Sequence, residues 1–509
     1  MKRFHANVGA RALARRNGVT VLTLPISTST GTYVVSYTGA GVVRWAVPVV
    51  PGVTSNGSGI VTGSDGIYVC GSYNSAAIIP LRNADGTSSG KSLPSSGFYD
   101  AFIIKYSTLG VVQWATTVRG TGYDVGASVA IDATGVYLTG GYNSGAAVVT
   151  LLNGDGSGSG KTMPKTPPGM CMYIIKYNTS GVVQWATGIV DSASVDSNQA
   201  YSIATDSTGV YAVGYYTNPT TVFPLLNGDG SGSGKSLPIT SGFWDVFIIK
   251  YSTLGVVQWA TTVPGSGGDY GRAVATYSNG VYIAGSYGSS GAATPLLNGD
   301  GTSSGKSLTA TSAGVFIIKY NTTGVIQWAA DFDGTGGEDE ARGLAVDATG
   351  VYVTGYATGS AILRNSDGSD STLRLPTTGG YQATFIISYS TAGNLNWATT
   401  IPCTSGSSMG VDIVLDPTGF YVTGYYDSPS AIISLKNSDG STSTKKLPAS
   451  LGASDIFIVK YDPGGFVQWA VSIQGSADDR AYHITTDSTN IYTTGYYVST
   501  SAVPLLNAS

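Results

Sequence analysis

Histidine is almost missing from this chain: two residues in 509, His5 and His483. That scarcity removes the usual general acid–base and the commonest metal ligand, so histidine-centred hydrolysis and zinc chemistry are disfavoured. Cysteine is nearly as rare. Cys70, Cys171 and Cys403 stand at three different positions of the repeat described below, which makes neither a disulfide framework nor a metal spacing. Charged residues make up only 11%, against about 25% in an ordinary soluble domain. No apolar run approaches the roughly 18 residues a membrane-crossing helix needs, and the glycines follow no three-residue period, which excludes collagen. What is abundant is equally informative. Hydrophobic residues make up 42%, and the chain carries 71 glycines and 33 tyrosines, enough apolar surface to bury a core and too much for disorder.

The net charge of −4 is unevenly spread. Residues 1–20 carry Lys2, Arg3, Arg11, Arg15 and Arg16 and no acid, leaving 21 basic and 30 acidic residues (−9) in the remainder. A body of that sign offers no footprint for nucleic acid, which is expected only through the basic arm. The arm reads as a solvated or locally docked terminus, and its segment 10–16 has helical propensity too short to stand alone. The apolar stretch 19–26 is short for a secretory signal, so none is recognised.

Self-similarity organises everything else. Seven of the eight tryptophans occur in Gly-Val-Val-Gln-Trp-Ala or a variant: Trp45, Trp114, Trp185, Trp259, Trp328, Trp397 and Trp469, spaced 69, 71, 74, 69, 69 and 72 residues apart. The exception is Trp244. Within residues 119–190, short strands are predicted at 128–132, 136–142, 173–177 and 182–187, separated by tight turns at 132–135 and 178–181. Four meandering strands of this length make one propeller blade. The Asp-x-Thr-Gly turn recurs at Asp132, Asp206, Asp347 and Asp416, with Asn replacing Gly after Asp487. Turn chemistry accounts for these aspartates, since each can accept the amides of its own turn.

A blade needs about 40–50 residues, so each unit has a surplus. It lies between the second and third strands, where segments such as 77–81 and 91–94 flank a polar turn and predict an added β-hairpin. The two ends of the chain complement each other. Residues 495–509 stop midway through such a hairpin, and residues 22–25 match its other half. We therefore expect an all-β, seven-bladed propeller over 21–509, with blades near 52–118, 119–190, 191–263, 264–332, 333–401, 402–473, and 474–509 plus 21–51. The last blade is closed by both termini, which removes open sheet edges.

Val-Tyr-Val-Thr-Gly-Tyr at 351–356, Asp-Val-Phe-Ile-Ile-Lys-Tyr at 245–251 and Gly-Val-Val-Gln-Trp-Ala together resemble the SBBP-type β-propeller repeat family. Where that family often has a short Asp-Phe-Pro link, this chain has the long hairpin. The resemblance implies a seven-bladed scaffold, found mainly in surface or secreted bacterial proteins and in some large viruses, and implies no particular reaction.

Candidate binding residues follow from the loops. The hairpins are expected on the same face as the blade-linking loops, with Asn-x-Asp-Gly tips at Asn83/Asp85, Asn153/Asp155, Asn227/Asp229, Asn298/Asp300, Asn365/Asp367 and Asn437/Asp439. These are the candidate partner contacts. With Ser157 and Ser231, the tips at Asn153/Asp155 and Asn227/Asp229 also resemble half a calcium loop without its distal Glu, so calcium is the one cofactor considered. Tyrosine pairs end the second strands, and Tyr216, Tyr426 and Tyr497 are the candidate carbohydrate platforms. The seven repeat tryptophans are expected to mark the core. Acidic pairs at Glu338/Asp339 and Asp478/Asp479 fall in blade-linking loops, where solvated charge explains them.

The leading expectation is a non-catalytic structural or interaction propeller, on a virion or cell surface, presenting near-identical hairpins to a protein partner. A propeller lectin, calcium-assisted or not, is the alternative, and a polysaccharide-acting enzyme the third.

Overall fold

The computed structural model describes residues 14–508 apart from 17–18, 51, 146, 167–168, 190–196, 218–221, 240–242, 289–290, 292, 310–312, 336, 338, 376–380 and 404–405, with only the backbone of 14–16 and 19–21. Seven four-stranded antiparallel sheets are present, and the described residues contain no helix. The second blade is representative. Val125–Asp132, Gly135–Tyr142, Cys171–Tyr177 and Val183–Gly188 pair in that order from the inside outward. The innermost strands of all seven blades neighbour one another in a closed cycle. The seventh sheet joins Arg480–Thr486 and Asn490–Ser499 to Ser27–Thr38 and Val43–Pro48, so both ends of the chain complete one blade. Its hairpin is likewise split, Thr23–Leu24 pairing with Val503–Pro504. Of the basic arm, Ala14–Arg16 is a strand paired with Val19–Val21 rather than a helix. Lys2, Arg3 and Arg11 lie outside the described residues.

The hairpins depart from expectation. Each starts at the face where blades are linked, then runs down the outside of its blade to the opposite face of tight turns. At the second blade, Val149–Leu152 and Gly158–Met163 form the hairpin. Its tip donates Gly154 N to Gly181 O, in the turn between the third and fourth strands. The linking-face end is held by the second-strand tyrosine, Tyr142 OH donating to Pro164 O at 2.9 Å. Tyr216 and Tyr426 repeat this with Pro238 and Pro448.

Adjacent blades are joined on the turn face by a repeated latch. Trp114 Nε1 donates to Thr179 O of the next blade at 3.0 Å, and Lys105 Nζ donates to the same oxygen at 3.1 Å. The pair recurs as Trp185/Lys176 on Thr253 O, Trp259/Lys250 on Thr322 O and Trp328/Lys319 on Thr391 O. Trp45 and Trp469 use Thr108 O and Gly39 O. The Trp114 ring also lies against Gly154 and Gly181 of the following blade, where an added Cβ would stand 2.9 Å from the indole. Gly181 additionally has φ +84°, so no other residue suits both the turn and the contact.

Trp397 differs. Phe420 occupies the place held elsewhere by Val or Ile, and stacks on Trp397 (5.8 Å, 20°) and on Tyr461 (5.1 Å, 8°). Trp397 is half-buried, and no indole bond to the next turn is found for it among the described residues.

Replacing a latched indole by phenyl removes one hydrogen bond and some packing. Trp185→Phe is expected to lower stability by about 1–3 kcal/mol, read from the denaturant midpoint. Trp397→Phe should cost clearly less; equal losses would refute the latch as the cause.

Candidate functional site

The hairpin-tip residues hold the hairpin to its own blade. Asn153 Oδ1 accepts Val183 N at 3.1 Å, at the start of the outer strand, and its Nδ2 donates to Ser157 Oγ at 3.0 Å. The first contact repeats at Asn83, Asn227, Asn298, Asn365 and Asn437, and at Asn507 in the split blade. Asp155 Oδ1 accepts both the amide and the hydroxyl of Ser157, at 2.9 and 2.6 Å. Those donors hold the carboxylate below its usual range. Asp85, Asp229, Asp300 and Asp367 repeat both contacts, and Asp439 accepts the Ser441 amide. At Asn153/Asp155/Ser157 and Asn227/Asp229/Ser231, the supposed calcium ligands are thus hydrogen bonded to one another. Among the described residues no group of three or more His, Cys, Asp or Glu converges as for a metal.

The tyrosine candidates resolve by side. Tyr216, Tyr426 and Tyr497 are at most 1% exposed, set into the core beneath the hairpins. The structure therefore corrects their reading as ligand platforms: strand alternation sets the second tyrosine of each pair into the core and turns the first to the other face of the blade. The Asp-x-Thr-Gly aspartates behave as turn residues. Asp132 Oδ1 accepts the amides of Thr134 and Gly135, and Oδ2 accepts Tyr137 OH at 3.0 Å.

A site that departs from the repeat lies on the channel. Each innermost strand carries a β-bulge at the same position, opposite the glycine of the second strand's Val-Thr-Gly-Tyr motif. At Gly214 a Cβ would fall 1.9 Å from Gln199 O, and the corresponding glycines are equally tight. The close approach requires glycine, and the bulge leaves one residue per blade unpaired. Those residues are Ser58, Ala127, Tyr201, Arg272, Arg342, Val411 and Tyr482, and all seven line a channel cavity of about 610 Å³.

On the side of blades three to five they form a cluster. Glu340, buried, accepts Arg272 Nε and, through Oε2, Arg342 Nη2 at 2.8 Å. Burial opposes the Glu340 charge, but the Arg342 and Arg272 guanidiniums outweigh it and hold the carboxylate below its usual range. The Arg272 guanidinium packs on the tilted rings of both Tyr201 (4.3 Å) and Tyr270 (4.6 Å). Tyr215 and Trp244 extend this aromatic cluster edge-to-face, with ring centroids 5.6 Å apart, and Trp244 is 42% exposed. Farther round, Arg480 lies 4.5 Å over Tyr425 and bonds Asp478, which also accepts Tyr496 OH. His483 Nδ1 meets Asp412 Oδ2 at 3.0 Å across the sixth and seventh blades. Burial opposes protonation of His483, yet Asp412 outweighs it and raises the imidazole above its ordinary range. Of the acidic pairs read in the sequence, Glu338 lies outside the described residues. Asp339 and Asp479 are buried and bonded to backbone amides, Thr358 N and Val498 N among them.

These residues were legible only by comparing repeat columns one against another. Tryptophan context, tyrosine number and tip motifs all mark what is constant, whereas the site is made from columns that vary.

No family model matches the chain, so the motif resemblance to SBBP repeats is not extended to membership. Over 458 residues the chain is 27% identical to an uncharacterized WD repeat-containing protein of Acanthamoeba polyphaga mimivirus, an alignment covering 78% of this chain and 31% of the relative. The chain thus spans about a third of that relative's length (31%). Among solved structures it is similar to a periplasmic gluconolactonase of Pseudomonas aeruginosa, with 13% identity, 89% of this chain and 98% of that one covered, and a TM-score of 0.40. It is also similar to BamB of Moraxella catarrhalis, with 8% identity, 72% and 92% covered, and a TM-score of 0.29. Neither structural likeness carries a functional argument.

Two expectations follow. Asn227→Ala frees the amide of Val257 and is expected to speed its hydrogen exchange while leaving the inner strands protected; unchanged exchange would remove the tip's structural role. Burial pushes Asp124 and Asp479 up to about 7 and Asp269 up to about 8, the last also through its neighbour Asp245. A carboxyl raised on folding stabilises below its unfolded range and loses that contribution as pH rises through the folded value. The thermal midpoint should therefore fall between about pH 4 and about pH 8, and Asp269→Asn should flatten the slope.

Proposed function

We propose that this propeller is a non-catalytic interaction module whose working surface is the linking-face mouth of the channel, and that its partner is a protein. One observation carries the reading: in a ring built to repeat, the start of the inner strands collects Tyr201, Arg272, Arg342 and Tyr482 at the bulges and Tyr270, Glu340 and Arg480 two residues before them, near an exposed Trp244. Arginine, tyrosine and tryptophan are the residue types that dominate protein–protein hot spots. The WD-repeat relative supports a protein partner, although it is matched over only 31% of its length.

The reading moves the working surface away from the hairpin tips, whose polar atoms are engaged in turns. It assigns no reaction and no resident cofactor. A viral-particle or cell-surface setting fits both the mimivirus relative and the resemblance to SBBP repeats.

The test is cross-linking capture from the producing cell or virus, comparing wild type, Trp244→Ala with Tyr215→Ala, and the tip variant Asp155→Ala. The mouth variant is expected to lose a partner that wild type and the tip variant retain. A partner lost only from the tip variant would return the working surface to the hairpins. Turnover of any member of a polysaccharide panel by the purified protein would overturn the non-catalytic reading.

A further inference from the structure

The charge of the channel lining is opposite to that of the body around it. Outside the arm the chain has 21 basic and 30 acidic residues. The charged residues lining the cavity are Arg272, Arg342, His483 and Asp412. Asp412 is already engaged, facing His483 Nδ1 and accepting the Ile484 amide at 2.8 Å. At the rim, one carboxylate, Glu340, serves two arginines, and Asp478 serves Arg480. Three guanidiniums against two carboxylates leave an excess positive charge. The buried Asp269 and Asp479 add little to the other side, because burial keeps them protonated to near neutral pH.

The guanidiniums are also held in place before any ligand arrives. Arg272 rests against the rings of Tyr201 and Tyr270, Arg342 lies 5.5 Å over Tyr356, and Arg480 lies over Tyr425. Their side chains remain partly open, at 23%, 27% and 34% exposure. A planar fork fixed in this way is suited to bidentate recognition of carboxylate, at a smaller cost in side-chain ordering than free arginines would incur. The cavity, at about 610 Å³, falls within the range of about 300–1,000 Å³ typical of ligand pockets. Trp244 and Tyr215 at the rim give apolar faces on which neighbouring side chains of a segment can stack.

We propose that the mouth of the channel receives an acidic peptide segment of the partner, its carboxylates meeting Arg272, Arg342 and Arg480. This rests on the interaction reading above and names the chemistry that the site selects.

The probe is a fluorescein-labelled peptide of alternating Glu and Gly, with its Gln/Gly counterpart as control, followed by anisotropy against the full chain. Binding of the Glu peptide alone is expected, weakening with added salt. Arg342→Ala and Arg480→Ala should each weaken it by about tenfold or more, while Asp155→Ala leaves it unchanged. Arg342→Lys, which keeps the charge without the fork, should fall between. Should the alanine variants fail to fold, the salt dependence and the Gln/Gly control on wild type decide the matter. No binding up to millimolar peptide, equal binding of the Gln peptide, or displacement by oligogalacturonate or single-stranded DNA at lower concentration than by unlabelled Glu peptide would each overturn the proposal. In the capture experiment, a partner lost with Trp244→Ala but not displaced by excess Glu peptide overturns this inference and leaves the interaction reading standing. A partner retained in both overturns the interaction reading itself.

Discussion

Six of the seven blade interfaces depend on one acceptor each. The carbonyl in the turn between third and fourth strands takes the indole of the preceding blade, and in four interfaces also its lysine ammonium. Each such bond contributes only about 1 kcal/mol net, but the contact fixes position as much as energy. It sets the turn of one blade against the outer strand of the last, and the hairpin tip then packs into the angle between them. The glycine pair against Trp114, the Asn153 bond to Val183 and the Gly154–Gly181 backbone bond all follow from that placement. Where Phe420 takes over, stacking replaces the bond and the ring still closes.

Much of this was visible beforehand. Tryptophan spacing predicted seven units, the turn motifs predicted four strands apiece, and the mismatched ends predicted a blade built from both. These features are local or periodic, and period is what a sequence displays directly. The path of the hairpins was not visible, because strand alternation says that two segments pair and not which side of the blade they lie against. The tip asparagines illustrate the difficulty. Asn-x-Asp-Gly reads as a turn or half a calcium loop from composition alone, and only the 30-residue reach from Asn153 to Val183 shows its purpose.

The channel site was hidden for a related reason. Arg272 and Glu340 are 68 residues apart and stand on different blades. Nothing within one repeat brings them together. The tyrosine pairs came nearest to revealing it, yet Tyr215 and Tyr216 differ only in which way a strand faces, and the buried member is the one that keeps the repeat regular.

The bulge has a consequence for how such a molecule can change over generations. A residue paired across a sheet must suit its opposite number, so substituting it disturbs two strands at once. The bulged residue has no opposite number, and its backbone is fixed by the glycine facing it rather than by its own side chain. Seven such positions are open to replacement without renegotiating the sheet, and the present occupants run from Ala127 to Arg342. Selection can therefore rewrite what the ring recognises while the latches, hairpins and turns are inherited intact.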